Sequence, residues 1–178
     1  IPGYLIGDEW ERPAFIRECE QCGEEIRKHS QGITVVFGNV GVDWNKQNED
    51  GRIRKYNALF VAENRKFIHH PVTGYPFIIK TLLPNYREFD DSRHFFDLRK
   101  YALENSATLE ELVIPIKTSV GLLGCVLCED AWDSDYAVAP LKILAGHNPL
   151  PDIFVNISSS PFTANKNHKR NRVFSSHA

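Results

Sequence analysis

Two C-x-x-C pairs, Cys19/Cys22 and Cys125/Cys128, are the first residues in this sequence whose type and spacing suggest chemistry. Four thiolates so arranged can hold a tetrahedral zinc ion. Their setting argues against it. About a hundred residues separate the pairs, the first falls on a predicted helix with both thiols on the apolar face, and the second on a predicted strand. Residues three apart on a strand point to opposite faces, so Cys125 and Cys128 cannot share a metal while the strand continues. Cys19 and Cys22 fit better as small core residues. Cys128 is different, because it stands where the apolar run 120–127 stops and the charged Glu129-Asp130 begins. Sheet enzymes place chemistry at strand ends. A free thiol with a pKa near 8.5 is only a few per cent thiolate at neutral pH, so a nucleophile here needs a base or a neighbouring cation. Lys80 can be that cation. It closes the short apolar run Phe77-Ile78-Ile79, and a lysine there either snorkels outward or is held at a site. The plain alternative for Cys128 is an inert core thiol.

The remaining polar signals are weaker. Seven histidines are scattered, and only His69 and His70 are neighbours, a spacing poor for shared coordination on extended chain. The basic run 165–172 can hold a phosphate or an anionic substrate group, but it lacks interleaved aromatics for base stacking and reads equally as a solvated helix face. No GxSxG, GxGxxG or GxxxxGK[ST] occurs, which removes the main support for serine-hydrolase, dinucleotide and P-loop readings. A net charge of −2 gives no global field toward nucleic acid or anionic lipid, and no apolar stretch approaches the roughly 20 residues of a membrane span. With no secretory signal at the start, the expected setting is cytoplasmic, with no membrane and no nucleic-acid partner and with reduced thiols.

The elements that must position Lys80 and Cys128 follow from periodicity. Apolar positions at Phe15, Ile16, Cys19, Cys22 and Ile26 predict an amphipathic helix over 11–29, with Gly32 as a left-handed stop. A β-branched strand is predicted at 33–38 and an exposed polar connection at 43–55. Further strands are predicted at 56–67, with a reversal at Glu63-Asn64-Arg65-Lys66, and at 77–80, 112–117, 120–128 and 153–157. Helices are predicted at 94–105, 137–145 and from Asn165 onward. Interleaved strands and helices without a long linker argue for a single α/β or layered α+β unit over 1–178. The chain has no Met and begins on Ile1-Pro2-Gly3-Tyr4, so it reads as part of a longer sequence.

Three blocks in order, Lys80-Thr-Leu-Leu-Pro84-Asn-Tyr86-Arg-Glu88-Phe89-Asp90-Asp91-Ser-Arg93, Gly124-Cys-Val-Leu-Cys128-Glu129-Asp130-Ala-Trp132, and Asn156-Ile-Ser-Ser-Ser160-Pro161-Phe162, make the sequence resemble the carbon–nitrogen hydrolase (nitrilase) superfamily. Within it the likeness is to the glutaminase domain of glutamine-dependent NAD+ synthetase. The resemblance implies a four-layer α-β-β-α sandwich, here an incomplete central segment without its N-terminal strand and C-terminal strands. It also implies a Glu-Lys-Cys triad, with Cys128 as nucleophile and Lys80, beside the backbone N–H of Glu129, stabilising the oxyanion. Glu88 falls where many members carry a second glutamate that orients the lysine; its plain alternative is a solvated loop carboxylate. Tyr86, Phe89, Glu129, Ser160 and Lys166 match positions around the glutamine substrate, although Lys166 replaces a common arginine and loses its bidentate fork.

By the same likeness the activity is hydrolysis of the glutamine amide through a Cys thioester, supplying ammonia for NAD+ synthesis. No cofactor is expected in this segment, because ATP and Mg belong to a synthetase domain that the chain does not contain. The partners implied are glutamine or another small amide, that synthetase domain, and further copies in a homo-oligomer. The general-base glutamate would fall just upstream of Ile1, since Gly3-Tyr4 matches the pair that follows it, so the segment alone is expected to be inactive. The rival readings are a stand-alone amidase or carbamoylase using the same residues, and a degenerate module kept for assembly.

Overall fold

The computed structural model describes residues 6–160 and 163–177; Gly3-Tyr4 and Pro161-Phe162 of the motifs above lie outside them. A 3-10 turn at Gly7–Glu11 leads into α1 (Pro13–Lys28), which starts on a proline suited to a first helical turn and ends on Arg27-Lys28, favourable at a helix C-terminus. Its buried stripe is Ile16, Cys19 and Gly23. Cys22 is exposed, correcting the expectation that both thiols share the apolar face. Three residues turn a helix by 300°, so Cys22 lies about 60° round from Cys19, at the flank of the stripe.

The first sheet contains β1 (Thr34–Gln47), β2 (Ile53–Glu63), β3 (Lys66–Phe67) and β4 (Ile78–Ile79), all pairing antiparallel through β2. The β2–β3 reversal turns on Asn64 and Arg65, both at positive φ (49° and 63°), the conformation a two-residue hairpin requires. The predicted exposed connection 43–55 is instead mostly strand, with β1 continuing through a register irregularity between Asp43 and Gln47 and β2 beginning at Ile53. Arg54 and Lys55 are buried there because each charge is met: Arg54 pairs with Glu104, and Lys55 Nζ lies 2.6 Å from Glu11. Polarity alone reads as exposure when the partner comes from a distant segment.

The chain then forms α2 (Asp91–His94) and α3 (Leu98–Glu104), two helices where the sequence predicts one. Asp97 restarts the helix by capping Lys100 N at 2.9 Å. A capping box between Thr108 and Glu111 opens α4 (Leu109–Leu112), which replaces the start of the strand expected at 112–117. The second sheet follows as β5 (Ile116–Thr118), β6 (Gly121–Leu127) and β7 (Ile153–Ile157), with α5 (Pro140–Ala145) in the connection between β6 and β7. β6 pairs antiparallel with β5 and parallel with β7. A final helix, α6 (Lys166–His177), buries none of its residues.

Alternation along β2 explains the layering. Tyr56, Ala58, Phe60 and Ala62 face a core shared with Leu98, Tyr101 and Ala102 of α3, while Leu59 and Val61 face Leu123, Cys125 and Leu127 of β6. The two sheets are thus stacked face to face, with helices outside, as a layered α/β arrangement requires. Close packing fixes Gly41 of β1, where a Cβ would come within 2.6 Å of the Phe77 ring.

Candidate active site

Lys80 and Cys128 are brought to one hollow by the ends of two strands in different sheets. β4 pairs with β2 at only two residues, after which Lys80 N donates to Asn57 O at 2.9 Å and the chain leaves the sheet. The Lys80 side chain is almost fully buried, and its Nζ lies 3.0 Å from Asp91 Oδ2, an oxygen that also accepts from Asn57 Nδ2 at 3.2 Å. A buried ammonium is tolerable only with such a counter-charge. In the second sheet, β6 ends at Leu127 and the chain turns abruptly into a 3-10 turn, Cys128–Ala131. Cys128 sits at the corner with φ +45°, the left-handed region that side-chain-bearing residues avoid. Its N–H donates to Asn156 Oδ1 of β7 at 2.7 Å, which helps hold the corner. Strain of this kind persists where the surroundings over-determine it, commonly at functional sites.

The hollow encloses about 90 Å³, well above the roughly 10–15 Å³ that one water needs, and its walls include Trp10, Asn39, Asn57, Phe89, Asp91 and Ser159. Burial pushes the Cys128 thiol up, against the opposing pull of the Lys80 ammonium and a hydrogen bond from Ser158; Glu129 and Asp130 push it further up. The resting sulfur is therefore a thiol that a base must deprotonate before it can attack. Cys125, three residues earlier, is sealed in the inter-sheet core, where burial alone pushes it up to about 12.

Glu129 turns a buried carboxylate toward two phenols, accepting from Tyr86 at 3.1 Å and from Tyr136 at 2.9 Å. Burial and that carboxylate push Tyr86 up to about 12, so it stays a donor. Phe89 lines the hollow and meets the Tyr86 ring edge-on at 5.6 Å. Glu88 is exposed and borders an adjoining hollow with Asp90 and His94; the carboxylate bonded to Lys80 is Asp91. Of the five residues expected around the substrate, Phe89 lines the hollow, while Tyr86, Glu129, Ser160 and Lys166 are not part of its lining. Ser160 Oγ accepts from Arg170 Nη2 at 2.8 Å, and Lys166 opens α6.

Sequence reasoning quoted Asp91, Asp130 and Asn156 inside the motifs but assigned them no role, and it missed Asn57. A signal was available for Asn57 and Asn39, polar residues set within otherwise apolar strands that have to satisfy their amides somewhere. Among the described residues no three His, Cys, Asp or Glu side chains are grouped to hold a metal ion.

This sandwich, with a strained cysteine and a buried lysine opening into one hollow, has the carbon–nitrogen hydrolase fold. A carbon–nitrogen hydrolase from Helicobacter pylori superposes with a TM-score of 0.60 at 18% identity, covering 97% of this chain and 51% of its own. A glutamine-dependent NAD(+) synthetase from Cytophaga hutchinsonii superposes with a TM-score of 0.62 at 16% identity, covering 96% of this chain and 25% of its own. In sequence, the chain is similar to the glutamine-dependent NAD(+) synthetases of Thermotoga maritima (27% identical over 168 residues) and Aquifex aeolicus (28% over 166), each alignment covering 93% of this chain. It spans about a quarter of the length of these relatives, 24% in both. No protein-family model matches the chain. The likeness read from the three sequence blocks is thus borne out by both fold and relatives.

Proposed function

We propose that this chain is the amide-cleaving part of a glutamine-dependent enzyme, releasing ammonia from the glutamine side chain for amidation in NAD+ synthesis. The observation that carries the proposal is the meeting of Lys80 and Cys128 in one hollow, with Cys128 at a strained corner and Lys80 held by Asp91.

On this reading a base takes the Cys128 proton, and the sulfur attacks the amide carbon. A C–S bond forms while the carbonyl π pair moves onto oxygen. That oxyanion sits against the Lys80 ammonium and the backbone N–H of Glu129, where a fixed charge out of water is most effective. Collapse breaks the C–N bond, the departing nitrogen takes a proton and leaves as ammonia, and a thioester remains. Water then attacks the thioester, and glutamate departs as the thiol is restored. Splitting the reaction into two displacements is the benefit of covalent catalysis. The base is the glutamate that the family likeness sets ahead of Gly3-Tyr4; the carboxylate that orients Lys80 is Asp91, and the exposed Glu88 borders the adjoining hollow. The Glu129 carboxylate, fixed by Tyr86 and Tyr136, suits the substrate ammonium, and Phe89 suits its methylenes. Ser160 and Lys166, outside the lining of the hollow, are given no contact with the substrate in this reading. ATP and Mg belong to the synthetase unit that consumes the ammonia.

Intact-mass analysis of the full-length protein quenched during glutamine turnover tests the proposal. A glutamyl adduct that maps to Cys128 and spares Cys125 is the expected result. Turnover with no adduct at Cys128, or an adduct at Cys125, overturns it.

A further inference from the structure

Nothing in the sheets themselves fixes Lys80 relative to Cys128. The two residues end strands of different sheets, and between those sheets lies the apolar packing of Leu59, Val61, Leu123 and Leu127. Such contacts are non-directional, so they do not by themselves set the position of one backbone segment against the other. Asp130 changes that. Its carboxylate is 2% exposed and accepts three backbone N–H groups: Thr81 at 3.1 Å and Leu82 at 2.7 Å through Oδ1, and Leu127 at 3.1 Å through Oδ2. Thr81 and Leu82 directly follow Lys80, and Leu127 directly precedes Cys128. We propose that Asp130 is a positioning residue, a clamp whose one oxygen holds the chain leaving Lys80 while the other holds the chain entering Cys128.

Charge-assisted bonds to backbone donors are short and directional, so the clamp sets the separation of the two groups along the sheet plane as well as across it. Desolvating a carboxylate is costly, and here the three N–H donors offset that cost while an apolar residue would leave them unpaired. Burial pushes Asp130 up to about 6, even with the Lys80 ammonium and the three N–H groups favouring its anion. Reaction rates are sensitive to geometry on this scale, since a misplacement of about 1 Å can cost on the order of 100-fold.

The inference rests on reading Lys80 and Cys128 as the reacting pair, and wild-type glutamine turnover tests that reading separately. In Asp130→Asn the amide oxygen can still accept from Thr81 and Leu82, but its NH2 group faces the Leu127 N–H and cannot accept. In full-length protein, kcat per active site, counted by titration of Cys128 with an alkylating agent, should fall on the order of 10- to 100-fold with KM within about twofold. A residue with only a structural role would lower the number of titratable sites and leave the rate per site unchanged, and that result overturns the proposal. Hydrogen exchange on the unsubstituted protein needs no variant to fold: the Thr81, Leu82 and Leu127 amides should exchange at one common slow rate. Fast exchange at Thr81 and Leu82 while Leu127 stays protected also overturns it.

Discussion

Cys125 and Cys128 lie on one strand and its end, yet their surroundings give them opposite chemistry. Cys125 has only apolar neighbours to raise it, whereas Cys128 has the Lys80 ammonium pulling it down against burial. Alkylation by iodoacetamide should therefore label Cys128 and spare Cys125 in folded protein. The midpoint of labelling with pH should lie above that of an ordinary thiol, since burial dominates, and Lys80→Met should move it higher by removing the cation that stabilises the thiolate. The same substitution should lower glutamine hydrolysis by about 100- to 1,000-fold, the usual loss for one oxyanion donor, measured as ammonia release from full-length protein. Lys80 and Cys128 stand out in the sequence because each closes an apolar run, whereas Glu129 is singled out by the family likeness alone. Asp91 is not legible there, because what makes it the partner of Lys80 is a 3.0 Å approach between residues eleven apart across a loop.

Elements were legible wherever local pattern governs. α1, the reversal at Asn64-Arg65 and β7 follow their periodicity and turn residues closely. They departed where a distant partner overrides local polarity, as at Arg54 and Lys55, or where a cap starts a helix that periodicity does not show, as Asp97 does inside the predicted helix 94–105 and Thr108 does ahead of the predicted strand. Two substitutions test these accounts. Gly41→Ala should destabilise the fold by about 1–3 kcal/mol in chemical denaturation, because the new methyl meets the buried Phe77 ring and neither strand nor ring can yield freely. Thr108→Ala removes a capping box on a short helix and should cost about 1 kcal/mol by the same measurement.

At the scale of the whole molecule, one carboxylate gathers four segments. Glu11, from the N-terminal turn, pairs with Lys55 of β2, Arg52 of the hairpin loop and His94 of α2, closing one side of the structure beside the hollow. Burial alone would raise its pKa, but the bonds to Lys55 and His94 and the Lys55 and Arg52 charges outweigh it, so the folded value lies below the ordinary 4.5. A depressed carboxylate contributes stability that is fully present above the unfolded pKa and is lost as pH falls through the folded one. Thermal unfolding of the parent protein and Glu11→Gln should therefore differ most near neutral pH, and the gap should close as the pH drops below about 4.5. A gap that widens on acidification would contradict this account. Among the described residues no helix is long and apolar enough to cross a membrane.

By itself the sequence determined the layered α/β class, most strand and helix types, and that Lys80 and Cys128 each close an apolar run, because periodicity, turn chemistry and the ends of apolar runs are local properties of the chain. Only the tertiary structure decided that these two groups face one hollow, that Asp91 holds one and Asn156 the other's backbone, and that Asp130 ties both strand ends together. These depend on which segments stack, and stacking is set by burial summed over the whole fold, which no single stretch of sequence contains.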